Sequence, residues 1–342
     1  MRVLIIKTSS MGDVVHTLPA LTDAMRAIPG IVFDWVVEEK FQAIPAWHPA
    51  VDRVIPIALR RWRKSKSKNP FKIVNALKLF YATLNQKSYD LVIDAQGLMK
   101  SALMARFAQA PRAGYQSDSI REKWASYFYQ HRYDVSWQQH AVERVRHLFS
   151  QALYYPRPFA MADYGVDKTR WLHVRSEPYV LFFHGTTWAN KHWPESYWKK
   201  LTQLLNEREL KVKFSWGTSE EYERSMRIAQ GCYAEVLANL DINGLVPEIA
   251  NASAVVAVDT GLCHLASALN VPTIALFGPT DPEKTGVMGE KQINLAANFS
   301  CSPCLKRRCH YVEPSSEWPA CFTTLPPSLV MSQLMNMNIG KH

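Results

Sequence analysis

Four short segments of the chain combine side chains capable of group transfer. Lys7-Thr8-Ser9-Ser10-Met11-Gly12-Asp13 brings hydroxyls, a glycine and a carboxylate to the start of an apolar helical pattern. A helix N-terminus keeps such a carboxylate ionised, and even a weak base accepts a sugar hydroxyl's proton as the transition state forms. Asp13 would equally serve as a cap for that helix. His184-Gly185-Thr186-Thr187-Trp188-Ala189-Asn190-Lys191 joins two threonine hydroxyls to one cation. Lys191 could neutralise a diphosphate leaving group as a point charge without a metal, although a lone lysine is more commonly just solvated. Asp259-Thr260-Gly261-Leu262-Cys263-His264 follows an apolar run and opens another, so it presents backbone N–H groups at a helix N-terminus. Gly261 permits close backbone approach to a phosphate and Thr260 adds a donor. An ordinary capped turn with a partly buried His264 is the alternative. Glu221, past the Trp216-Gly217 turn, could accept from ribose hydroxyls or simply be an exposed helix carboxylate.

These segments must be held by elements the pattern makes visible. Val3–Ile6, Val32–Val37, Val51–Ile57 and Leu91–Asp94 read as buried strands, with helical spacing after the first and last and again over Val142–Leu153. A second cycle follows, with strands at Tyr179–Phe183, Val212–Ser215, Ala254–Val258 and Thr273–Phe277 and helices from Pro194 and over Glu220–Gln230. Alternation of buried strands with helices predicts α/β architecture with two Rossmann-like halves and a cleft between them. The breakers Pro156, Pro158, Asp163 and Gly165 put the boundary near 155, giving domains 1–155 and 156–325 and a tail, 326–342, that could cross back to the first domain. In such sheets ligands collect at the carboxyl ends of strands, where all four chemical segments begin.

At 342 residues, with 47% apolar and 20% charged side chains, the chain suits two ordinary globular domains. Between Arg53 and Ser88 lie ten basic residues and no Asp or Glu, so the entire +10 excess belongs to one stretch. That predicts one positive patch and one anionic partner, gripped by the guanidinium forks of Arg60-Arg61-Trp62-Arg63-Lys64. Nucleic acid, anionic lipid headgroups and a merely solvated loop are the other ways to read it. The N-terminus lacks a secretory pattern, so a cytoplasmic protein is expected, and the uncharged run near 261–280 is too broken by Pro272 and Gly278 to span a membrane.

No two of the fourteen glycines are separated by a single residue, which removes the dinucleotide fingerprint, and no P-loop occurs. No D-x-D is present to hold a metal–diphosphate complex, so no catalytic metal is expected. Cys301, Cys304, Cys309 and Cys321 are candidates for a structural metal site, with free thiols as the alternative.

Taken in order, the Lys7–Leu21 segment, Asp94-Ala95-Gln96-Gly97-Leu98, Lys191-His192-Trp193-Pro194, Asp259–Leu265 and Phe277-Gly278-Pro279-Thr280-Asp281-Pro282 closely resemble the bacterial lipopolysaccharide heptosyltransferases, glycosyltransferase family 9. Arg60–Lys64 and Gln139-His140-Ala141-Val142-Glu143-Arg144 make the chain most similar to the branch whose acceptor is Kdo (3-deoxy-D-manno-octulosonic acid). The resemblance implies a GT-B fold, with the two parallel sheets facing across the cleft. It also implies inverting, metal-independent transfer of L-glycero-D-manno-heptose from ADP-heptose to Kdo-lipid A, phosphorylated or not. The site roles come with it. Asp13 would be the base, with Ser10 and Gly12 beside the acceptor. Thr186, Thr187, Lys191, Glu221, Asp259, Thr260, Gly261 and His264 would hold the donor. Arg60, Arg61, Arg63 and Lys64 would grip the acceptor, and the enzyme would sit on the anionic cytoplasmic face of the inner membrane, with no nucleic acid partner. Cys263 stands where a small hydroxyl residue is expected, and the cysteine-rich segment is closer to other branches of the family. A heptosylated core as acceptor, a polyanion- or membrane-binding module without catalysis, and an oxidoreductase are the competing functions.

Overall fold

The computed structural model describes residues 1–64, 70–157, 159–173, 177–337 and 339, and for 62–64 and 70–73 the backbone alone. The chain forms two compact units, Met1–Val166 and Asp167–His342. The division falls later than the breakers at 156–158 suggest, because the residues after them pack on the first unit. Arg157 pairs with Glu143 at 3.0 Å, and Asp163 pairs with Arg26. Gly165 adopts φ +64°, and a Cβ there would stand 2.6 Å from His48 Nε2, so only glycine fits.

The first unit contains β1 (Arg2–Ile6), β2 (Val32–Glu38), β3 (Val51–Ile57), β4 (Leu91–Asp94), β5 (Arg112–Tyr115) and β6 (His131–Tyr133). They form one sheet in the order β3-β2-β1-β4-β5-β6, every neighbouring pair parallel. Its helices are α1 (Met11–Val15), α2 (Leu18–Ala27), α3 (Ala43–Ala46), α4 (Leu59–Lys64), α5 (Pro70–Leu84), α6 (Met99–Arg106) and α7 (Ala141–Ala152). Strand side chains alternate between faces. Leu4 and Ile6 of β1, with Val36 and Ile55, meet Phe80 and Leu84 of α5 and Met104 of α6. On β2, Phe33 meets Phe149 of α7, which packs with α2. Each such fully buried side chain contributes about 1.5–3 kcal/mol relative to exposure. Asp34, fully inaccessible, accepts from Arg2 at 2.6 Å, from Arg53 at 2.9 Å and from the Tyr89 hydroxyl at 2.9 Å, tying together β1, β2 and β3.

The second unit contains β7 (Tyr179–Phe183), β8 (Lys211–Phe214), β9 (Ala234–Val236), β10 (Ala254–Val258), β11 (Thr273–Phe277) and β12 (Gln292–Ala296) in the order β12-β11-β10-β7-β8-β9, again all parallel. Read from its first strand, this is the same topology as the first sheet. Its helices are α8 (Glu195–Asn206), α9 (Ser219–Ala229), α10 (Ile242–Ala250), α11 (Gly261–Ala268), α12 (Pro282–Thr285) and α13 (Pro327–Asn336). Phe182 centres its core, 4.8 Å from the Trp198 ring and 5.4 Å from Phe214. The tail helix α13 packs on α8 and β11 of its own unit.

Strand order reverses between β1 and β4 in one sheet and between β7 and β10 in the other. Adjacent strands there send their helices to opposite faces, so their outgoing loops separate and leave a crevice.

Candidate active site

In the first unit the reversal point is closed by backbone hydrogen bonds from the motif that follows β4. Gln96 Oε1 accepts from the backbone N–H of Thr8 (3.0 Å) and of Ser9 (3.2 Å), fixing the loop after β1. Asp94, fully buried, accepts from the Gln96 and Gly97 N–H groups and from the Tyr129 hydroxyl, and burial raises its pKa. Lys7 donates to the Ala95 carbonyl at 2.9 Å and stands 3.8 Å from Asp13 Oδ1; burial lowers its pKa. Asp13 is not the cap residue itself: it is the third residue of α1 and reaches back to Ser10, whose N–H (2.6 Å) and Oγ–H (2.9 Å) both donate to Oδ2.

Asp13 lines a cavity of about 320 Å³, together with Ser10, Lys7, Arg121, Trp137 and Arg144. Three cations and one acid face it among the described residues. Arg144 lies 4.0 Å over the Trp137 ring and 5.2 Å over Tyr115, donates to the Ser119 carbonyl at 2.6 Å, and keeps its Nε–H without a partner among the described residues. Gly12 is buried in α1. Arg60 and Arg61 follow β3 at the same sheet edge but do not line this cavity. They are exposed, Arg60 stacking 5.2 Å over Phe41 and Arg61 pairing with Glu39 at 3.2 Å. The side chains of Arg63 and Lys64 lie outside the described residues. Sequence reasoning missed Arg121, and Gln96 stood within a quoted motif with no role assigned to it. Arg144 was within a quoted motif but had no role.

In the second unit, Lys191 and Asp259 come together across the reversal point. Lys191 Nζ stands 2.6 Å from Asp259 Oδ2 and 4.6 Å over the Trp188 ring. Asp259 also accepts from the Thr280 hydroxyl at 2.7 Å, and His264 Nε2 lies 4.0 Å from its other oxygen. This ion pair holds the Lys191 ammonium in one place. Thr260 caps α11, whose first residue is Gly261, and leaves first-turn N–H groups at the strand end. Thr186 is half-buried and Thr187 exposed in the loop after β7. Glu221 accepts from the Gly217 N–H at 2.8 Å and lies against Gly185, where any Cβ would overlap its carboxylate. Cys263 is buried and donates to the Thr260 carbonyl at 2.8 Å, turned into its own helix start; burial raises its pKa.

The candidate structural metal site does not form among the described residues, and free thiols, the other reading of the segment, are what stands there. Cys301, Cys304, Cys309 and Cys321 are all free, and no three His, Cys, Asp or Glu side chains among the described residues stand where they could hold a metal ion. Burial and, secondarily, the neighbouring thiols push Cys321 up to about 12, yet Cys301 is exposed and Cys304 receives the Asn190 amide at 3.5 Å.

A family model described as glycosyltransferase family 9 (heptosyltransferase) matches residues 78–313. A lipopolysaccharide heptosyltransferase 1 from Pseudomonas aeruginosa is 52% identical over 98% of this chain and 98% of its own length. Two solved structures of E. coli heptosyltransferase WaaC are 44% identical. The one with ADP has TM-score 0.86, covering 98% of this chain and 100% of that one. The one with ADP-2-deoxy-2-fluoro heptose has TM-score 0.83, covering 99% and 100%.

Proposed function

The chain belongs to glycosyltransferase family 9, the heptosyltransferases, and on that premise we propose that it moves L-glycero-D-manno-heptose from ADP-heptose to Kdo of the lipopolysaccharide inner core, inverting the anomeric carbon. It is a GT-B glycosyltransferase with the activity of a lipopolysaccharide heptosyltransferase 1. The observation that carries the assignment of base and acceptor is the first unit's cavity, where Asp13 is the one acid among Lys7, Arg121 and Arg144. An anionic sugar acid suits those cations, and its hydroxyl would find a single acceptor for its proton. The ligands of the solved neighbours support an ADP-sugar donor.

In the proposed step the acceptor oxygen forms a bond to C1 of the heptose as the bond from C1 to the diphosphate oxygen breaks, and the hydroxyl proton passes to Asp13. The hydroxyl becomes acidic only as the new bond forms, so an ordinary carboxylate suffices as base. The electron pair leaves on the β-phosphate of ADP, opposite Lys191 and the α11 N–H groups, which act by electrostatic stabilisation of developing charge. Asp259 holds the ammonium in place, Thr186, Thr187 and His264 complete the donor site, and Glu221 accepts from the donor's hydroxyls. Ser10 fixes the carboxylate. Arg60, Arg61, Arg63 and Lys64 would meet the remaining negative charge of the acceptor. We place the enzyme at the anionic cytoplasmic face of the inner membrane, where that acceptor is anchored.

ADP release from ADP-heptose, measured with and without a Kdo-containing acceptor, tests the reading. Acceptor-dependent release is expected, and background release alone refutes it. Competition with a heptosylated core decides between acceptors. Chelator should leave the rate unchanged; loss restored by a divalent cation would overturn metal independence.

A further inference from the structure

No helix among the described residues is long and apolar enough to cross a membrane. The outer surface of α5 and α6 nevertheless departs from a solvated one. On α5, Val74, Leu77 and Tyr81 recur at helical spacing, and Leu103 of α6 stands four residues before Phe107, the C-cap of that helix; all five are between 39 and 47% exposed. The two sets are joined. The Tyr81 and Phe107 rings meet edge-on at 6.3 Å, and Asn85 of the segment after α5 donates to the Phe107 carbonyl at 3.0 Å. Phe80 and Leu84 of α5 and Met104 and Ala105 of α6 are buried in the core, so the exposed apolar side chains flank the core-facing ones. What remains is an apolar face built from two helices and left outside.

Its charge specifies the occupant. Neither helix contains an Asp or Glu, and no acid occurs in 53–88 or in 95–117. Exposed Lys78 on α5 and Lys100 and Arg106 on α6 rim the apolar side chains. The other helical layer of the same sheet contrasts with it, since α2 and α7 carry Asp23 and Glu143, both paired with Arg146. Apolar side chains flanked by cations, on helices that contain no acid and with Glu122 bonded to the Met99 N–H at the start of α6 (2.7 Å), fit a bilayer surface whose headgroups are anionic, with the apolar groups at the acyl boundary. A protein partner would equally bury the apolar part, but the absence of any acid over two helices is what a uniformly negative surface selects.

We propose that α5 and α6 form a monotopic docking face for an anionic lipid bilayer, seating the first unit on the surface that carries its acceptor. The purpose of the face rests on the transferase reading; its evidence rests on the two helices.

Flotation with vesicles of phosphatidylethanolamine and phosphatidylglycerol, against phosphatidylcholine alone, reads the interaction without either substrate. The intact protein is expected to float with the anionic vesicles only. The double variant Leu77→Glu/Phe107→Glu should lose binding by tenfold or more, on the order expected for exchanging buried apolar groups for charges at a membrane surface. Lys78→Glu with Lys100→Glu, which leaves the apolar residues intact, should cost roughly fivefold per site or more. Both variants should keep full turnover on an acceptor freed of its acyl chains and lose it on vesicle-embedded acceptor. Failure of the intact protein to float, or variants that float as well as it does, overturns the proposal. So does a change from dimer to monomer on gel filtration with vesicle binding unchanged, which would assign the face to a second copy of the chain. Vesicle binding without acceptor-dependent ADP release would refute the transferase reading and leave the docking face standing.

Discussion

The two sheets have one topology and opposite chemistry at their reversal points. In the first unit a carboxylate, Asp13, is set among cations on a cavity wall. In the second, a lysine is pinned by a carboxylate at 2.6 Å beside the N-terminus of α11. The strands contribute position alone, because both sheets bring two outgoing loops together at the same place in the strand order. What each unit can do is decided by a few residues in those loops. A base needs a free lone pair facing substrate, whereas a leaving-group stabiliser needs a fixed positive charge, and the proposed step assigns these separately to Asp13 and Lys191.

The sharpest way to break this division is Asp13→Ala. Turnover should fall roughly 10³-fold, the usual scale for losing a general base, while donor binding by calorimetry is unchanged. Retained turnover would remove Asp13 from proton transfer and dissolve the contrast between the units.

Each unit also has a buried histidine whose pKa burial lowers well below its ordinary value, His48 in the first and His184 in the second, and here they should behave alike. In the first, the Ala50 N–H donates to His48 Nδ1, so Nε2 carries the proton toward Thr22, and burial lowers the pKa to about 4. In the second, burial lowers His184 to about 3, with Nε2 against the Ser225 hydroxyl. Since both folded values lie below the unfolded value of about 6.5, the unfolded chain takes up protons first as pH falls. Stability is therefore full above pH 6.5 and declines toward pH 4 in the first unit and pH 3 in the second, by on the order of 3 kcal/mol per histidine. His48→Gln should flatten the dependence of Tm on pH over the upper window, and an unchanged slope would refute the linkage.

Lys191→Ala comes next, with a loss on the order of 10²-fold in kcat and a weakened donor, as expected for removing one stabilising donor. Asp259→Asn should cost less, roughly tenfold, because the lysine remains but is less well held. The split matters: if Asp259→Asn instead tightens ADP while slowing turnover, orientation of Lys191 is supported. If it weakens ADP more than Lys191→Ala does, Asp259 contacts the donor itself.

Much of this was readable before any coordinates. Val3–Ile6, Tyr179–Phe183 and Ala254–Val258 are continuous apolar runs, and buried parallel strands require just that composition. The strands β5, β6, β9 and β12 were not readable. They are three to five residues long, lie toward the sheet margins and include Arg112, His131, Glu235 and Gln292, so no run or alternation marks them. Helix α10 was hidden by Pro247 inside it. At the site, the residue types of Asp13, Lys191 and Asp259 were visible, but the pairing of the last two spans two strands and belongs to tertiary structure. The same holds for Gln96, which is an unremarkable amide until its oxygen is seen to gather two N–H groups from the loop after β1.

Cys263 lies within the segment that most plainly suggests nucleotide binding, and its thiol is buried and bonded to the Thr260 carbonyl. An electrophilic inhibitor aimed at that segment would find no accessible sulfur there. Exposed Cys301 is the thiol it would meet first.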